Sequence, residues 1–374
     1  MTASKGKVLV AMSGGVDSSV AAALLKDDGY DVVGAFMRLG SPGETIENDA
    51  ACDLESRPAV KIGHQGCCSI NDAKDAHLVA AELSIPFYVL NFKKDFSRII
   101  DYFVGEYNAG RTPNPCVRCN DWLKFGRLVQ FARSIDARYI ASGHYARVER
   151  LAGGPSLLRG VDHAKDQSYV LFGAGRDQLE HMRLPVGRYR KPEIRRIAAE
   201  LALPVSEKPD SQEICFVPDQ DYARLIERRT PEHITSGTIR DTEGRTLGRH
   251  AGHQRFTIGQ RRGVGVALGH PIYVVEKDAA SNTVTVGSRQ DLARATLTAT
   301  QTNWLIHPPP HSAIRCTAKV RYNAQPVPAT VEATGDDTLT VTFDEPQYAV
   351  APGQAVVCYE GDRVLGGGWI RSAE

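Results

Sequence analysis

The sequence lacks the features of several special classes of protein. No run of about twenty apolar residues occurs, so no membrane-spanning helix is predicted. Residues 1–7 contain no apolar signal region, so we expect the protein to lie in a bacterial-type cytoplasm. The alternative is an organelle, which the protein would reach by means of a presequence that is then cleaved. Eight cysteines in 374 residues are too few for a disulfide scaffold. The formal net charge of +1 neither supports nor excludes a nucleic-acid partner.

The first informative stretch is SGGVDSS at residues 13–19, which follows an apolar run typical of a buried parallel strand. A helix is predicted directly after it, ending near Gly29. Two adjacent glycines let a bound anion approach the backbone, and Ser18 or Ser19 is expected to cap free amides of the first helical turn. The loop lacks the Walker A lysine and the third glycine of a dinucleotide fingerprint. It predicts a phosphate or pyrophosphate site, with a purely structural turn as the alternative.

Strands and helices alternate through the first two hundred residues, which favours an α/β fold with a doubly wound parallel sheet. After about Tyr222 short β-rich runs predominate, and they predict a small β-rich central domain followed by a C-terminal β-barrel. Residues 40–66 are predicted to be an irregular insertion. The expected domains are 1–222, 223–293 and 294–374. The predicted strands of the first domain are 7–12, 31–37, 86–91 and 139–144, and its predicted helices are 20–26, 70–83, 96–107, 122–135 and 191–203.

Two clustered cysteines lie in TPNPCVRCN at residues 112–120. The prolines predict an extended approach to a helix that begins near Asp121, and a cysteine at a helix N-terminus tends toward thiolate. Three interpretations of the pair are open: half of a zinc site, a redox pair, or a reactive thiol of a sulfur-handling enzyme. No second pair has zinc-finger spacing, so no metal site is predicted. The tryptophan that precedes the thioredoxin CxxC is also absent.

A third stretch, KPDSQEICFV at residues 208–217, carries another cysteine. The loop SGGVDSS alone resembles the pyrophosphate loop of the ATP pyrophosphatase superfamily. Together the motifs resemble the tRNA-specific 2-thiouridylases of that superfamily, and the resemblance extends from Lys7 to the C-terminus. The motifs, in family order, are SGGVDSS, GCCS at 66–69, TPNPCVRCN, SGHYAR at 142–147, KDQSY at 165–169, KPDSQEICFV and GQRRG at 259–263.

The resemblance implies an ATP-dependent 2-thiolation of the wobble uridine of tRNA. The enzyme would adenylate O2 of the uridine, and sulfur would arrive as a persulfide on Cys215. Cys119 would then release the sulfur or form a disulfide with Cys215, which fits thiolate and disulfide-exchange chemistry. Mg²⁺, held in part by Asp17, would neutralise the pyrophosphate. The implied partners are tRNA and a persulfide-carrying donor protein, with no membrane, and we expect a monomer.

The same resemblance implies the site residues. The ATP contacts would be Ala11, Met12, Ser13, Gly14, Gly15, Val16, Asp17, Ser18, Met37 and Gly143. The tRNA contacts would be Asn114, Pro115, Cys116, His144, Lys165, Asp166, Gln167, Arg321, Tyr322 and Gln354. The catalytic residues would be Cys119, Cys215 and Cys116.

One position departs from the family. Where many relatives carry an acidic residue three before the nucleophilic cysteine, this chain has Cys116. A thiol does not simply replace a carboxylate as acid or base, and three cysteines, 116, 119 and 215, also suit an iron–sulfur cluster. We favour the persulfide relay. The five remaining cysteines are interpreted as structural or ordinary residues: Cys52, Cys67, Cys68, Cys316 and Cys358.

Two other functions compete with that of a tRNA sulfurtransferase: an ATP pyrophosphatase that amidates a small molecule, and a nucleotide-gated RNA-binding module with a structural metal. The first of these needs no paired reactive cysteines, so Cys119 and Cys215 argue against it.

The distribution of charge adds one observation, because no acidic residue lies between Glu243 and Glu276. This basic stretch is predicted to contact phosphates, the alternative being a solvated loop. It contains Arg245, Arg249, His250, His253, Arg255, Arg261, Arg262 and His270.

Overall fold

A computed structural model describes residues 4–40, 70–210, 214–217, 221–310 and 312–374. Most of the predicted insertion, the GCCS motif and the cysteines at 52, 67 and 68 lie outside these ranges, as does Ser211–Glu213 of the third motif. None of the described helices is long and apolar enough to cross a membrane.

Up to residue 142 strands alternate with helical segments, as predicted, whereas the two successive strands that follow, at 146–151 and 154–159, were not predicted. The elements in chain order are β1 (Lys7–Ala11), α1 (Val16–Asp27), β2 (Asp31–Arg38), α2 (Ile70–Glu82), β3 (Phe87–Asn91), α3 (Lys93–Asn108), α4 (Pro115–Cys119), a π-helix (Asn120–Arg127), α5 (Leu128–Ser134), β4 (Tyr139–Ser142), β5 (Ala146–Leu151), β6 (Gly154–Arg159), α6 (Arg176–His181), β7 (Met182–Arg183) and α7 (Lys191–Glu200).

Five strands form a parallel sheet in the order β3-β2-β1-β4-β7. The central strand β1 is apolar at nearly every position, and its side chains alternate between two cores. Val8 and Val10 face the core formed with α1, α2 and α7, whereas Leu9 faces the core formed with α3 and α5. Helices therefore cover both faces of the sheet, and the predicted doubly wound α/β fold is confirmed.

The strand order reverses between β1 and β4. Ala11 pairs in register with Ser142, so the loops that follow these two strands leave the sheet side by side. Ligands of doubly wound sheets bind beyond the carboxyl ends of the strands at such a reversal. The glycine-rich loop after β1 and Gly143 after β4 both lie there.

The central part of the chain forms a second, smaller sheet with the order β10-β11-β8-β9. Its core contains Ile239, Val274, Val284 and Val286. A short helix precedes the sheet. The elements are α8 (Tyr222–Arg229), β8 (Gly237–Asp241), β9 (Thr246–His250), β10 (Tyr273–Asp278) and β11 (Thr283–Gly287).

The last six strands close into a barrel because β12 pairs with both β15 and β17. The barrel was predicted, but strand β12 was not, since alternating alanine and threonine give it few large apolar residues. The hairpin β5–β6 also extends this sheet through the pair Leu158 and Arg363. The strands are β12 (Ala293–Trp304), β13 (Ile314–Lys319), β14 (Val327–Gly335), β15 (Thr338–Tyr348), β16 (Ala355–Glu360) and β17 (Arg363–Ala373).

Candidate active site

The glycine-rich loop turns sharply between β1 and α1. Gly14 has φ +73°, and a Cβ atom there would lie 2.2 Å from the carbonyl oxygen of Asp72 at the start of α2. The Ser13 amide donates to Ser18 Oγ at 3.1 Å, and Ser18 and Ser19 both donate to the Gly15 carbonyl. The prediction that these serines cap the first helical turn was therefore wrong, because their hydroxyls bind the loop instead.

The first amides of α1 are left for a ligand. Gly15 is the N-cap residue, and its side chain can cap nothing. Within the described ranges, the amides of Gly14, Gly15 and Val16 donate to no other group. These amides and the positive end of the helix dipole favour a phosphate. Gly143, which follows β4, lies directly against the first turn of α1, since a Cβ atom there would lie 2.5 Å from the Ser18 amide nitrogen.

The other predicted ATP contacts line the same sheet edge. Ala11 and Met12 are buried at the end of β1, and the Met12 amide donates to the Ala35 carbonyl at 2.8 Å. Met37 is half-buried near the end of β2. The structure thus brings together the ten residues predicted to bind ATP.

Sequence reasoning missed a lysine at the first turn of α7. Lys191 is 8% exposed, and its ammonium group donates to both carboxylate oxygens of Asp17 at 2.8 and 2.9 Å. It also contacts Asp210 at 2.7 Å. Tyr145 donates to Asp17 at 2.7 Å, and burial, with the nearby Asp17 charge, raises the pKa of this phenol. The loop itself contains no lysine, and the ammonium group beside its aspartate comes from this distant helix.

A second missed lysine binds the loop directly. Lys208 Nζ donates to the Gly14 carbonyl at 2.9 Å and to Asp72 at 2.7 Å, and it also contacts Asp75. Burial opposes the charge of Lys208, but hydrogen bonds from the ammonium to both aspartates raise its pKa. The signal that could have revealed this role is the KPD part of the third motif, whose charged residues lie only a few positions before Cys215.

The KPD aspartate joins these cations into one network. Asp210 accepts from Lys165 at 2.9 Å and from Arg195 at 2.9 Å, in addition to its contact with Lys191. Burial alone would raise its pKa, but the hydrogen bonds from Lys191 and Lys165 lower it to about 2. The segment that leads to Cys215 is therefore tied through ion pairs to the glycine-rich loop.

The cysteine pair lies within a helix rather than before one. Helix α4 begins at Pro115, with Asn114 as the N-cap residue accepting from the Val117 amide at 3.3 Å. The predicted start near Asp121 was wrong, because Asn114 caps the chain and Pro115 suits the first helical position. Cys116 is exposed, whereas Cys119 is half-buried against the core below α3 and α5.

Cys215 lies on a short described segment, residues 214–217. It is half-buried and packs against the same core as Cys119. The neighbouring Phe216 anchors this segment between Phe96 and Phe103 of α3, with ring centroids 5.6 and 5.1 Å apart. Both thiols therefore border one core, and their direct approach stays a prediction.

Several predicted tRNA contacts surround Tyr322. Burial raises the pKa of this phenol, the nearby Asp166 and Cys116 raise it further, and a hydrogen bond with Gln167 opposes the shift. Tyr322 is still 40% exposed. Gln354 donates to the carbonyls of Thr112 and Pro113 at 3.1 and 2.9 Å, so the barrel holds the chain just before α4. Residues from three distant stretches thus meet beside the exposed cysteine.

Three predicted tRNA contacts are engaged inside the protein. Burial holds the pKa of His144 well below its ordinary range, so its imidazole is neutral and hydrogen-bonds Ser142 at 2.7 Å. Asp166 is buried and accepts from Arg159 and Ser168. Arg321 donates to the Ile258 carbonyl at 2.8 Å, and burial lowers its pKa. Because all three side chains bond groups of the protein itself, their geometry favours a role in shaping the site over direct contact with tRNA phosphates.

The basic stretch divides into paired and exposed residues. Arg245 pairs with Asp241, and Arg255 pairs with Glu227. Both His250 and His253 are buried. The positions that remain available as a phosphate-binding surface are Arg249, Arg261, Arg262 and His270, which are all exposed.

Comparisons with known proteins identify the family. Models described as the tRNA methyl transferase HUP domain, the PRC-barrel domain and the aminomethyltransferase beta-barrel domain match residues 6–219, 224–288 and 294–370. The tRNA-specific 2-thiouridylase MnmA of Rhodopirellula baltica is 46% identical over 98% of this chain and 96% of its own. That of Geotalea uraniireducens is 49% identical over 98% and 95%. The chain belongs to the tRNA-specific 2-thiouridylase family.

Membership of the 2-thiouridylase family confirms the resemblance read from the motifs. The three matched models follow the order of the parallel sheet, the central sheet and the closed barrel. In the described part of this family member, no group of three or more His, Cys, Asp or Glu side chains is arranged to hold a metal ion.

Proposed function

We propose that this protein catalyses the ATP-dependent 2-thiolation of the wobble uridine of tRNA. The observation that carries the proposal is the ion network of Lys208 and Asp210, which ties the segment before Cys215 to the glycine-rich loop. A nucleotide-binding loop and a thiol-bearing segment joined in this way suit an enzyme that first adenylates its substrate and then transfers sulfur to it. The names of the curated relatives agree with this activity.

In the first step, O2 of the uridine attacks the α-phosphate of ATP, and pyrophosphate leaves. The loop amides and the α1 dipole would hold the phosphates, while Lys191 holds Asp17 and Lys208 holds the Gly14 carbonyl in place around the loop. Preorganised amides and dipoles of this kind lower the barrier because they need no reorganisation during the reaction. The product is a uridine whose C2 carries AMP as a good leaving group.

In the second step, the terminal sulfur of a persulfide on Cys215 bonds to C2, and AMP leaves. The Cys119 thiolate attacks Cys215 Sγ and breaks the sulfur–sulfur bond, so the outer sulfur stays on the uridine and a Cys119–Cys215 disulfide forms. A dithiol reductant then restores both thiols. The disulfide requires Cα atoms within about 7 Å, and we propose that residues 214–217 supply this approach when tRNA is bound.

Magnesium would enter with the nucleotide. Mg²⁺ commonly uses one or two carboxylates together with substrate phosphates, and Asp17 is the loop's own carboxylate. Both of its oxygens accept from Lys191, so a Mg²⁺ ion held jointly by Asp17 and ATP would take one oxygen from Lys191, which keeps Asp210 as a partner. The ion would supply charge neutralisation for the pyrophosphate, while Lys191 keeps the carboxylate oriented.

The tRNA and the sulfur donor would use different parts of the molecule. We propose that the exposed Arg261 and Arg262 contact tRNA phosphates and that the flipped uridine enters beside Tyr322 and Cys116, since enzymes that modify a base take it out of the stack. The sulfur donor would be a protein that carries a persulfide. The domain boundaries 1–222, 223–293 and 294–374, a monomeric state and a cytoplasmic location are part of the same proposal.

Mass spectrometry of nucleosides tests this function directly. Wild-type protein with unmodified tRNA, ATP, Mg²⁺ and a persulfide donor is expected to produce 2-thiouridine at the wobble position. Cys119→Ser and Cys215→Ser should each produce none, whereas Cys116→Ser, the matched control three residues away, should remain active. If Cys116→Ser is also inactive, and anaerobically purified protein carries iron and acid-labile sulfide, a cluster replaces the relay.

A further inference from the structure

The arginine between the two cysteines of α4 reaches the C-terminal barrel. The guanidinium carbon of Arg118 lies 3.9 Å from the ring centroid of Trp369 on β17. Its terminal nitrogen donates to Gln301 of β12 at 2.6 Å. The same group lies 5.3 Å from the ring centroids of Tyr102 and Trp122. Three aromatic rings and one amide therefore hold this cation.

Helix α4 is the first turn of a longer helical segment. Its five residues continue without a break into the π-helix and α5, so residues 115–134 are helical throughout. π-Helical turns are rare and frequently mark functional sites. The position of Cys119 in this first turn depends on what the side chains of α4 contact: Val117 is buried in the core, and Arg118 contacts the barrel.

The barrel also holds the chain just before the two cysteines. The Thr112 amide donates to the Pro352 carbonyl at 2.8 Å, and Gln354 donates to Thr112 and Pro113. A Cβ atom at Gly353 would lie 2.8 Å from the Thr112 carbonyl oxygen. The barrel thus contacts the chain before the two cysteines, at Thr112 and Pro113, and between them, at Arg118.

We propose that Arg118 is a positioning residue that locks Cys119 in its sulfur-transfer position by anchoring α4 on Trp369 and Gln301. The barrel then forms part of the catalytic site. Arg118 is unsuited to a phosphate contact, because its faces stack on rings and one of its terminal nitrogens is bonded to Gln301. The inference rests on the proposed thiolation, and its first test is independent of that activity.

The test compares Arg118→Met with Arg98→Met. Arg98 is a matched control because its guanidinium carbon lies 4.1 Å from the ring centroid of Trp122, yet it belongs to α3. The first measurement is the ratio of iodoacetamide alkylation rates at Cys119 and Cys116 in the full-length protein without tRNA. Arg118→Met should raise this ratio at least threefold, because α4 loosens and half-buried Cys119 becomes accessible, and Arg98→Met should leave it unchanged.

The second measurement separates adenylation from sulfur transfer. Arg118→Met should lower the thiolation rate at least tenfold while pyrophosphate release and tRNA affinity stay within twofold, and Arg118→Lys should recover only part of the loss. Gln301→Ala, on the barrel, should reproduce the effect in weaker form. An unchanged alkylation ratio in Arg118→Met overturns the proposal, and so does an equal loss of both steps. If wild-type protein does not thiolate tRNA, the alkylation ratio still decides the positioning role.

Discussion

Replacing Gly14 by alanine tests whether the glycine-rich loop depends on its unusual backbone. Gly14 has φ +73°, and an added Cβ would lie 2.2, 2.8 and 2.9 Å from the carbonyl oxygen, carbonyl carbon and Cα of Asp72. All three atoms belong to the backbone of α2, so no side chain can rotate away. Either the loop or the start of α2 must move.

The magnitude follows from two terms. A left-handed conformation costs a residue with a Cβ about 1–2 kcal/mol, and overpacking against a well-packed neighbour costs about 1–3 kcal/mol. Gly14→Ala is therefore expected to destabilise the fold by about 2–5 kcal/mol. Gly15→Ala is the matched control, because Gly15 has φ −103° and the nearest atom to its added Cβ is Ser13 Oγ at 3.5 Å. Its cost should stay below about 1 kcal/mol.

Urea unfolding followed by tryptophan fluorescence gives the stability of both variants, and isothermal titration with ATP gives the affinity of Gly14→Ala. We expect this variant to bind ATP at least tenfold more weakly than wild type, because moving Gly14 also moves the carbonyl that holds Lys208. Equal stability of the two alanine variants would refute the argument from backbone geometry. Unchanged ATP affinity in a destabilised Gly14→Ala would show that the loop does not bind the nucleotide.

Three further predictions concern charge. Asp17→Asn should abolish pyrophosphate release without unfolding the protein, since Lys191 keeps its contact with Asp210; full activity of this variant contradicts the assignment. Arg261→Glu with Arg262→Glu should weaken tRNA binding and flatten its salt dependence, while Arg245→Glu, which removes a residue already paired with Asp241, should change the salt slope less. Burial raises the pKa of Asp121 to about 7, whereas the unfolded carboxyl ionises near pH 4, so wild type should lose stability as the pH rises through this interval. The stability of Asp121→Asn relative to wild type should accordingly increase by a few kcal/mol as the pH rises from 4 to 8. A difference in urea midpoints that does not change with pH would count against this prediction.

The sequence alone determined the local features. The apolar strand β1, the glycine turn and the helix after it depend on residues within about twenty positions of one another, so composition and order suffice to predict them. The alternation of strands and helices then restricted the topology, because parallel strands need helical crossovers. For the same reason the position of the glycine-rich loop at the carboxyl edge of the sheet was predictable, whereas the hydrogen-bond partners of Ser18 and Ser19 were not, since either hydroxyl has a choice of partners.

Only the tertiary structure decided which distant residues serve the site. Lys191 and Lys208 are separated from Asp17 and Gly14 by more than 170 residues in sequence, and nothing local to either lysine indicates an ion pair. Arg118 likewise meets Trp369 because β12 and β17 close the barrel beside α4. Such contacts depend on how the three sheets pack, and packing sums many weak, non-local interactions that no short stretch of sequence contains.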